Sequence, residues 1–218
     1  MPITTPQPRS DPKCVEARFD RIARSYWLFE RLFIVPRSAR TRAIGKLGLG
    51  PDDRVLTVGC GSFPELCELS TLVGPKGAVV GIDLSEKMLR RAYAKKTELQ
   101  LNNTELIHAN IFNYTNEQSF NAIYFPYSLT SFGEPHRVLR HIWDLLEPGG
   151  RLVVLDAQIP AMVRPWAGPA MPLIRSFMER TVVGDPDMEP LAELKKLGSP
   201  VQVEYMRGGA HFIAQIEK

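Results

Sequence analysis

The sequence predicts an α/β fold, a doubly wound and mostly parallel sheet with helices on both faces. First, short apolar runs rich in β-branched residues, typical of strands buried on both faces, alternate with segments of helical periodicity. Second, the run at 55–58 leads into a glycine turn and then a helix start. Third, the chain closes with two alternating segments around Gly208 and Gly209, which predict an antiparallel hairpin. We therefore expect a seven-stranded sheet with one antiparallel strand.

The stretch around which the chain is organised spans residues 54–63, where a strand is followed by Gly59 and Gly61 and then by a helix start. Glycine allows the backbone to pass close to a ligand, and the free N–H groups of a helix start point towards that ligand. Ser62 is expected to cap this helix, with Glu65 reaching back to the cap. This order of elements predicts a cradle for a ligand of nucleotide size.

A second apolar run, at 78–82, ends at Asp83, which lies 22 residues after Gly61. At that spacing an acidic side chain meets the two hydroxyl groups of a ribose. The unit is therefore predicted to be a nucleoside-binding βαβ unit, and the sheet to be Rossmann-like. A glycine turn selected only for packing is the alternative.

The remaining elements follow from periodicity and from turn residues. Apolar residues at helical spacing predict helices over about 12–35 and 37–47, before the first strand. After Asp83 we expect a helix capped by Ser85, strands at 104–108, 121–125 and 151–156, and a helix at about 135–146. His211 alternates with Ala210 and Phe212 on the final hairpin and is expected to be structural.

Residues 159–172 differ in composition from the rest of the chain. Four prolines and a glycine exclude a long regular element, while Met162 and Trp166 supply apolar surface. The segment is predicted to be a lid over a substrate, or part of one. An ordinary crossover packed on the sheet is the alternative.

Four stretches of the sequence carry recognisable motifs: 19–23 together with Tyr26, 81–89, 120–123 and 146–154. These motifs resemble those of the class I S-adenosylmethionine (SAM)-dependent methyltransferases. Within that superfamily they are similar to the ubiquinone/menaquinone-biosynthesis (UbiE-like) and phospholipid N-methyltransferase group. The resemblance spans roughly residues 17–158.

The resemblance implies SAM as the cofactor and assigns roles to individual residues. Tyr26 matches a tyrosine that approaches the methionyl part of SAM, and it is the candidate catalytic residue. Met88 matches a side chain that packs on the adenine, and Asn110 stands where the family most often has Asp, which accepts from the adenine amino group. The implied cofactor-binding residues are Tyr26, Thr57, Gly59, Cys60, Gly61, Asp83, Leu84, Met88, Asn110, Ile111 and Tyr127.

The resemblance also implies a division of the chain, because in this family an N-terminal helical region lies over the cofactor. The expected parts are a flexible lead at 1–12, an N-terminal helical cap at 13–50, a SAM-binding Rossmann-like core at 51–158, a substrate lid or insertion at 159–190, and a C-terminal helix and β-hairpin at 191–218.

Three positions depart from the family pattern. Thr57 stands where the superfamily usually has Asp or Glu, Phe63 where it has a third glycine, and Trp27 where it has Asp. Loss of the carboxylate removes a charge that favours a cationic ligand, and Phe63 is expected to add bulk where the backbone passes close to the cofactor. Two alternatives therefore stay open: a SAM-binding protein with other chemistry or a regulatory role, and a non-catalytic partner protein.

The expected activity is methyl transfer to a small apolar or amphiphilic acceptor, such as a quinone, a lipid amine or a secondary metabolite. Such an in-line displacement depends mainly on alignment and on the exclusion of water. Trp27, Met162 and Trp166 are the candidate substrate-binding residues, although Trp27 and Tyr26 could equally be core aromatics. The sequence identifies no general base.

Composition bounds the partners and the compartment. The 218 residues carry a net charge of only +3 and no motif that grips a nucleic-acid base, so nucleic-acid binding is not expected. Three cysteines are too few for a disulfide framework or a zinc site, and no apolar run is long enough to span a bilayer. No signal peptide is recognisable, and a cytoplasmic location is expected.

The charge is unevenly distributed along the chain. Residues 1–46 carry ten Lys and Arg against four Asp and Glu. This surplus could favour an anionic substrate or peripheral contact with a lipid surface. The alternative is that the arginines form the solvated faces of amphipathic helices.

Overall fold

The structure, a computed structural model, describes residues 15–17, 19–20, 37–158 and 188–218. Its centre is a seven-stranded sheet in the order β3-β2-β1-β4-β5-β7-β6, in which β7 runs antiparallel to both of its neighbours. The mostly parallel sheet that the sequence predicts is confirmed. The strands are β1 (Arg54–Val58), β2 (Ala78–Asp83), β3 (Thr104–His108), β4 (Phe120–Pro126), β5 (Leu146–Ala157), β6 (Gln202–Met206) and β7 (His211–Glu217).

Helices cover both faces of the sheet. The described α-helices are α1 (Arg37–Leu47), α2 (Leu66–Val73), α3 (Glu86–Glu98), α4 (Pro135–Leu145) and α5 (Pro190–Lys195), and three 3₁₀ turns lie at Ile111–Asn113, Leu129–Ser131 and Arg207–Gly209. Buried residues of α1, α2 and α3 form one core with one face of the sheet, and those of α4 and α5 form a second core with the other face. Both cores include buried β1 residues, because successive side chains of a strand point to opposite faces.

The strand order determines where a ligand can bind. β1 pairs with β2 on one side and with β4 on the other, so the order of the strands reverses between β1 and β4. In open α/β sheets, ligands bind at such a switch point, outside the carboxyl ends of the strands. The glycine turn after β1 and the segment after β4 meet there.

Two helix starts test the expected caps. Ser85 caps α3 as predicted, because its side chain accepts a hydrogen bond from Met88 N–H at 3.2 Å. The expected cap at Ser62 is wrong: α2 begins at Leu66, and its N-cap residue is Glu65, which makes no side-chain capping bond. Glu65 is instead drawn into an ion pair with Arg40 of α1. Glu65 therefore pairs with a charged residue that is distant in the sequence, and not with the nearby Ser62 cap.

One buried carboxyl group lies in the sheet. Asp156, near the end of β5, is 2% exposed and accepts hydrogen bonds from the N–H and the hydroxyl group of Thr130, both at 3.0 Å. Burial raises its pKa to about 6, against the opposing effect of these hydrogen bonds. The folded protein therefore binds a proton here between pH 4 and 6 that the unfolded chain has already released.

This carboxyl group predicts a pH dependence of stability. The free energy of unfolding should fall as the pH rises through 4 to 6, and the contribution of Asp156 to that fall should be about 2–3 kcal/mol. Chemical unfolding of the wild type and of Asp156→Asn at pH 4.5 and 7.5 checks this. The wild type should lose more stability between these two pH values than the variant does, and equal losses would contradict the prediction.

Among the helices that the structure describes, none has the length and apolarity needed to span a bilayer. The same residues contain no group of three or more His, Cys, Asp or Glu side chains that could hold a metal ion.

Candidate active site

A cavity of about 560 Å³ opens at the carboxyl ends of β1, β2 and β4. Its described wall is built from the glycine turn, the end of β2, the 3₁₀ turn after β3, the segment after β4 and the N-terminal residues Val15, Glu16 and Phe19. Its volume falls within the range of roughly 300–1,000 Å³ that is usual for small-molecule and cofactor sites. The cavity therefore coincides with the switch point of the sheet.

The glycine turn is fixed to β2 by its backbone. The N–H groups of Gly59 and Cys60 both donate to the Ile82 carbonyl oxygen, at 2.8 and 3.1 Å. Gly59 has a φ of 69°, and a Cβ atom at this position would lie 2.5 Å from the Cβ atom of Ser128. Only glycine fits here, because both its conformation and its contact with the segment after β4 exclude a side chain.

Asp83 stands beside this turn and is held by two backbone donors. One carboxylate oxygen accepts from Gly61 N–H at 2.7 Å, and the other accepts from Ser85 N–H at 2.8 Å. Burial raises the pKa of Asp83, and these two hydrogen bonds oppose that rise. Each oxygen retains a second lone pair, so both can accept from the hydroxyl groups of a ribose.

The N-terminal helical residues are tied to the same edge of the sheet. Asp20 accepts from the Ser85 hydroxyl at 2.6 Å, and Glu16 lies 3.9 Å from His108 Nε2. Val15, Glu16 and Phe19 contribute to the cavity wall. The first described residues of the chain thus form part of the cavity wall.

Four of the predicted cofactor-binding residues line the cavity beside the ends of β2 and β3: Leu84, Met88, Asn110 and Ile111. Met88 and Asn110 are the two expected at the adenine. The side-chain oxygen of Asn110 already accepts from Phe112 N–H at 3.1 Å and so caps the following 3₁₀ turn. An amide oxygen has two lone pairs, so one remains for the adenine amino group. The role predicted for Asn110 is compatible with this geometry.

The segment after β4 closes the cavity on the other side. Ser128 donates from its hydroxyl to the Val58 carbonyl oxygen at 2.6 Å, which ties this segment to the end of β1. Tyr127 lines the cavity and has a φ of 57°. Its hydroxyl lies 3.1 Å from His211 Nδ1 on β7.

Sequence reasoning missed Arg40 as a residue of this site. Arg40 lies on α1, lines the cavity and forms an ion pair with the buried Glu65. Its guanidinium group lies 5.6 Å from the centre of the Tyr127 ring. An arginine held in this way can bind a carboxylate or another anion. No local pattern marks it, because its partner lies 25 residues away on another helix.

The two departures within the cofactor motif lie inside the core. Thr57 is fully buried and is not on the cavity wall, and its hydroxyl has no hydrogen-bond partner among the described residues. Phe63 is also fully buried, and a Cβ atom on Gly81 would lie 2.7 Å from its ring. The ring was expected to add bulk near the cofactor. It packs instead on the glycine of β2, below the cradle.

Four of the predicted site residues lie outside the described residues: Tyr26, Trp27, Met162 and Trp166. Most of the expected lid at 159–190 lies outside them as well. The structure therefore leaves these predictions as they stand.

The fold and the site together define a SAM-dependent methyltransferase, because a class I sheet carries at its switch point a glycine turn and an aspartate held by backbone N–H groups. The residues around the cavity fit SAM as a cofactor. Residues 49–180 match the family described as "Methyltransferase domain", and the chain belongs to that family.

Two enzymes of assigned activity are similar to this chain in sequence. The chain is 29% identical over 160 residues to the demethylmenaquinone methyltransferase of Oceanobacillus iheyensis, covering 72% of this chain and 67% of that protein. It is also 29% identical over 192 residues to the enzyme of the same name from Lactococcus lactis, covering 80% of this chain and 76% of that protein.

Solved structures share the fold. A SAM-dependent methyltransferase from Aquifex aeolicus superimposes with a TM-score of 0.60 at 21% identity, covering 95% of this chain and 98% of that chain. The [4+2]-cyclase SpnF superimposes with a TM-score of 0.62 at 20% identity, covering 80% of this chain and 60% of that chain. At these identities the likeness concerns the fold alone.

Proposed function

We propose that this methyltransferase acts on a quinone-type aromatic acceptor in its reduced, hydroxyl-bearing form. The observation that carries the proposal is that the same cavity joins the Asp83 cradle to the aromatic side chains of Phe19, Phe112 and Phe132. The two relatives named demethylmenaquinone methyltransferase support the same acceptor class. A reduced quinone is electron-rich at its ring and can serve as a nucleophile, whereas the oxidised form cannot.

The proposed cofactor contacts follow from the donors and acceptors on the wall. Asp83 accepts from the ribose hydroxyl groups, and Leu84, Met88 and Ile111 enclose the adenine between apolar surfaces. Arg40 binds the carboxylate of the methionyl part, since it is a cation beside the glycine turn and the buried Glu65 holds it in place. The backbone of Gly59 and Gly61 approaches the ligand closely.

When bound, SAM supplies the methyl group as an already activated electrophile. The work left to the protein is to align the acceptor and to exclude water. The apolar part of the wall serves both purposes, because it binds the aromatic rings and offers water few partners. We retain Trp27, Met162 and Trp166 as proposed acceptor contacts on the basis of their residue types.

A methyl-transfer assay tests the acceptor class. The purified protein is incubated with methyl-labelled SAM and a short-chain demethylmenaquinol kept reduced, and in parallel with the oxidised quinone and with phosphatidylethanolamine vesicles. We expect labelled product from the quinol alone. Labelling of the lipid amine instead, or of none of the three by a protein that binds SAM, would contradict the proposed acceptor.

A further inference from the structure

One side chain on the cavity wall is linked to a histidine outside the wall. The Tyr127 hydroxyl lies 3.1 Å from His211 Nδ1, and the two rings meet edge to face with their centres 5.7 Å apart. Tyr127 lines the cavity, and His211 stands behind it on β7, opposite Ala157 of β5. The tyrosine therefore connects the cavity with an imidazole.

Tyr127 is held in this position in a strained backbone conformation. Its φ of 57° is a left-handed conformation that residues other than glycine adopt rarely. Its N–H donates to the Leu155 carbonyl oxygen at 2.6 Å, which fixes the peptide against β5. A strained residue at the carboxyl end of a central strand is a reason to look for a function.

The protonation states of the two groups are complementary. Burial and the neighbouring Arg207 lower the pKa of His211, so the imidazole is neutral at pH 7. Burial raises the pKa of Tyr127, so its phenol remains protonated. A protonated phenol beside a neutral imidazole can donate its hydrogen bond to the lone pair on Nδ1. The charged groups that act on the pair are Arg40, Glu65, Asp156 and Arg207.

The other three histidines are placed differently. Nε2 of His108 bonds to the Leu84 carbonyl oxygen at 2.8 Å, and Nε2 of His141 bonds to the Tyr114 carbonyl oxygen at 2.9 Å. Toward a carbonyl oxygen a ring nitrogen can only donate. His136 is exposed on α4 and does not line the cavity. Within the described part of the chain, His211 is thus the histidine hydrogen-bonded to a cavity-wall side chain.

We propose that Tyr127 and His211 act as one proton acceptor for the hydroxyl group of the methyl acceptor. This inference rests on the proposed function, and it replaces the structural role that the sequence predicts for His211. In this pair Tyr127 is a catalytic residue, because it lines the cavity, and His211 acts through it.

The acceptor's hydroxyl proton passes to the Tyr127 oxygen while the Tyr127 proton passes to His211 Nδ1, which becomes an imidazolium. The electron pair released on the acceptor forms the bond to the methyl group, and the pair of the broken sulfur–carbon bond stays on sulfur. For methylation at a ring carbon, that carbon then loses its hydrogen as a proton and the acceptor oxygen is reprotonated. One proton is released per turnover, and Arg207 favours its departure from His211.

Nuclear magnetic resonance of the protein without cofactor tests the hydrogen bond itself. The ¹⁵N shifts of His211 at pH 7.5 should show an unprotonated Nδ1 and a protonated Nε2. In Tyr127→Phe the pKa of His211 should rise, because a donor to the neutral ring has been removed, while the ¹⁵N shifts of His136 should equal those of the wild type. A protonated Nδ1 that donates to the tyrosine oxygen would overturn the proposal.

Steady-state kinetics with the reduced quinol test whether Tyr127 and His211 act as the proton acceptor. Tyr127→Phe and His211→Asn should each lower kcat about 100-fold, the usual range for loss of general-base catalysis, with little change in KM. The double variant should be no slower than the single variants, and the matched control His136→Asn should equal the wild type. A kcat within twofold of the wild type in both single variants would overturn the proposal.

Together, the magnetic resonance and kinetic experiments distinguish a failure of the Tyr127–His211 pair from a failure of the proposed function. A wild type that binds SAM but methylates no quinol contradicts the acceptor class, and the magnetic resonance arm then decides on the pair. A wild type that methylates the quinol, with both variants unimpaired, contradicts the pair and leaves the acceptor class standing.

Discussion

Asp83→Ala is expected to weaken the binding of SAM and of S-adenosylhomocysteine about 100-fold or more. Two hydrogen bonds from ribose to a charged acceptor are lost, each worth about 1.5–3 kcal/mol. The substitution also removes the acceptor for Gly61 N–H and Ser85 N–H. The glycine turn then keeps only its backbone hydrogen bonds to the Ile82 carbonyl oxygen of β2. Calorimetric titration of the variant against the wild type measures the effect.

Asp144→Ala is the matched control, because Asp144 is an exposed aspartate on α4, away from the cavity wall. Its affinity should equal that of the wild type. Asp83→Asn should bind with intermediate affinity, since it keeps the shape and one acceptor oxygen but not the charge. If Asp83→Ala is folded by circular dichroism and binds as the wild type does, Asp83 is not the ribose acceptor.

Phe63→Ala is expected to lower the free energy of unfolding by about 3–5 kcal/mol, as usual for removal of a buried phenylalanine. The ring is fully buried and packs on Gly81, so its loss leaves a cavity beside β2. Affinity for SAM, measured where the variant is folded, should stay within about threefold of the wild type, which corresponds to about 0.7 kcal/mol. Chemical unfolding and calorimetry measure the two quantities.

Leu72→Ala provides the control for Phe63, because Leu72 lies on α2 with 39% of its surface exposed. It should change stability by no more than about 0.5 kcal/mol. A Phe63→Ala variant that keeps its stability but binds SAM much more tightly would show that the ring restricts the cofactor site, as the sequence pattern suggested.

Features with local signals were predictable from the sequence. The bounds predicted for β3 agree with the structure, because a short apolar run between turn residues is a local pattern. The Ser85 cap and the place of Asp83 at the end of β2 depend on spacing along the chain, and both are confirmed. The antiparallel β6–β7 hairpin follows from its alternation and its glycines.

Features that join distant segments were not predictable. The Arg40–Glu65 ion pair and the Tyr127–His211 hydrogen bond each connect two elements that meet only in the folded sheet. The expected Ser62 cap failed for the same reason, since the charge on α1 decides where Glu65 points. The direction of the Phe63 ring depends on its φ of 50°, which a sequence pattern does not reveal.

Calorimetric titration of the intact protein with SAM and with S-adenosylhomocysteine tests the central claim most directly. The cradle built from Gly59, Gly61 and Asp83 predicts saturable binding of both ligands at one site per chain, in the micromolar range. An absence of binding to the folded protein would contradict that claim. It would mean that a methyltransferase fold carrying Thr57 and Phe63 has lost its cofactor.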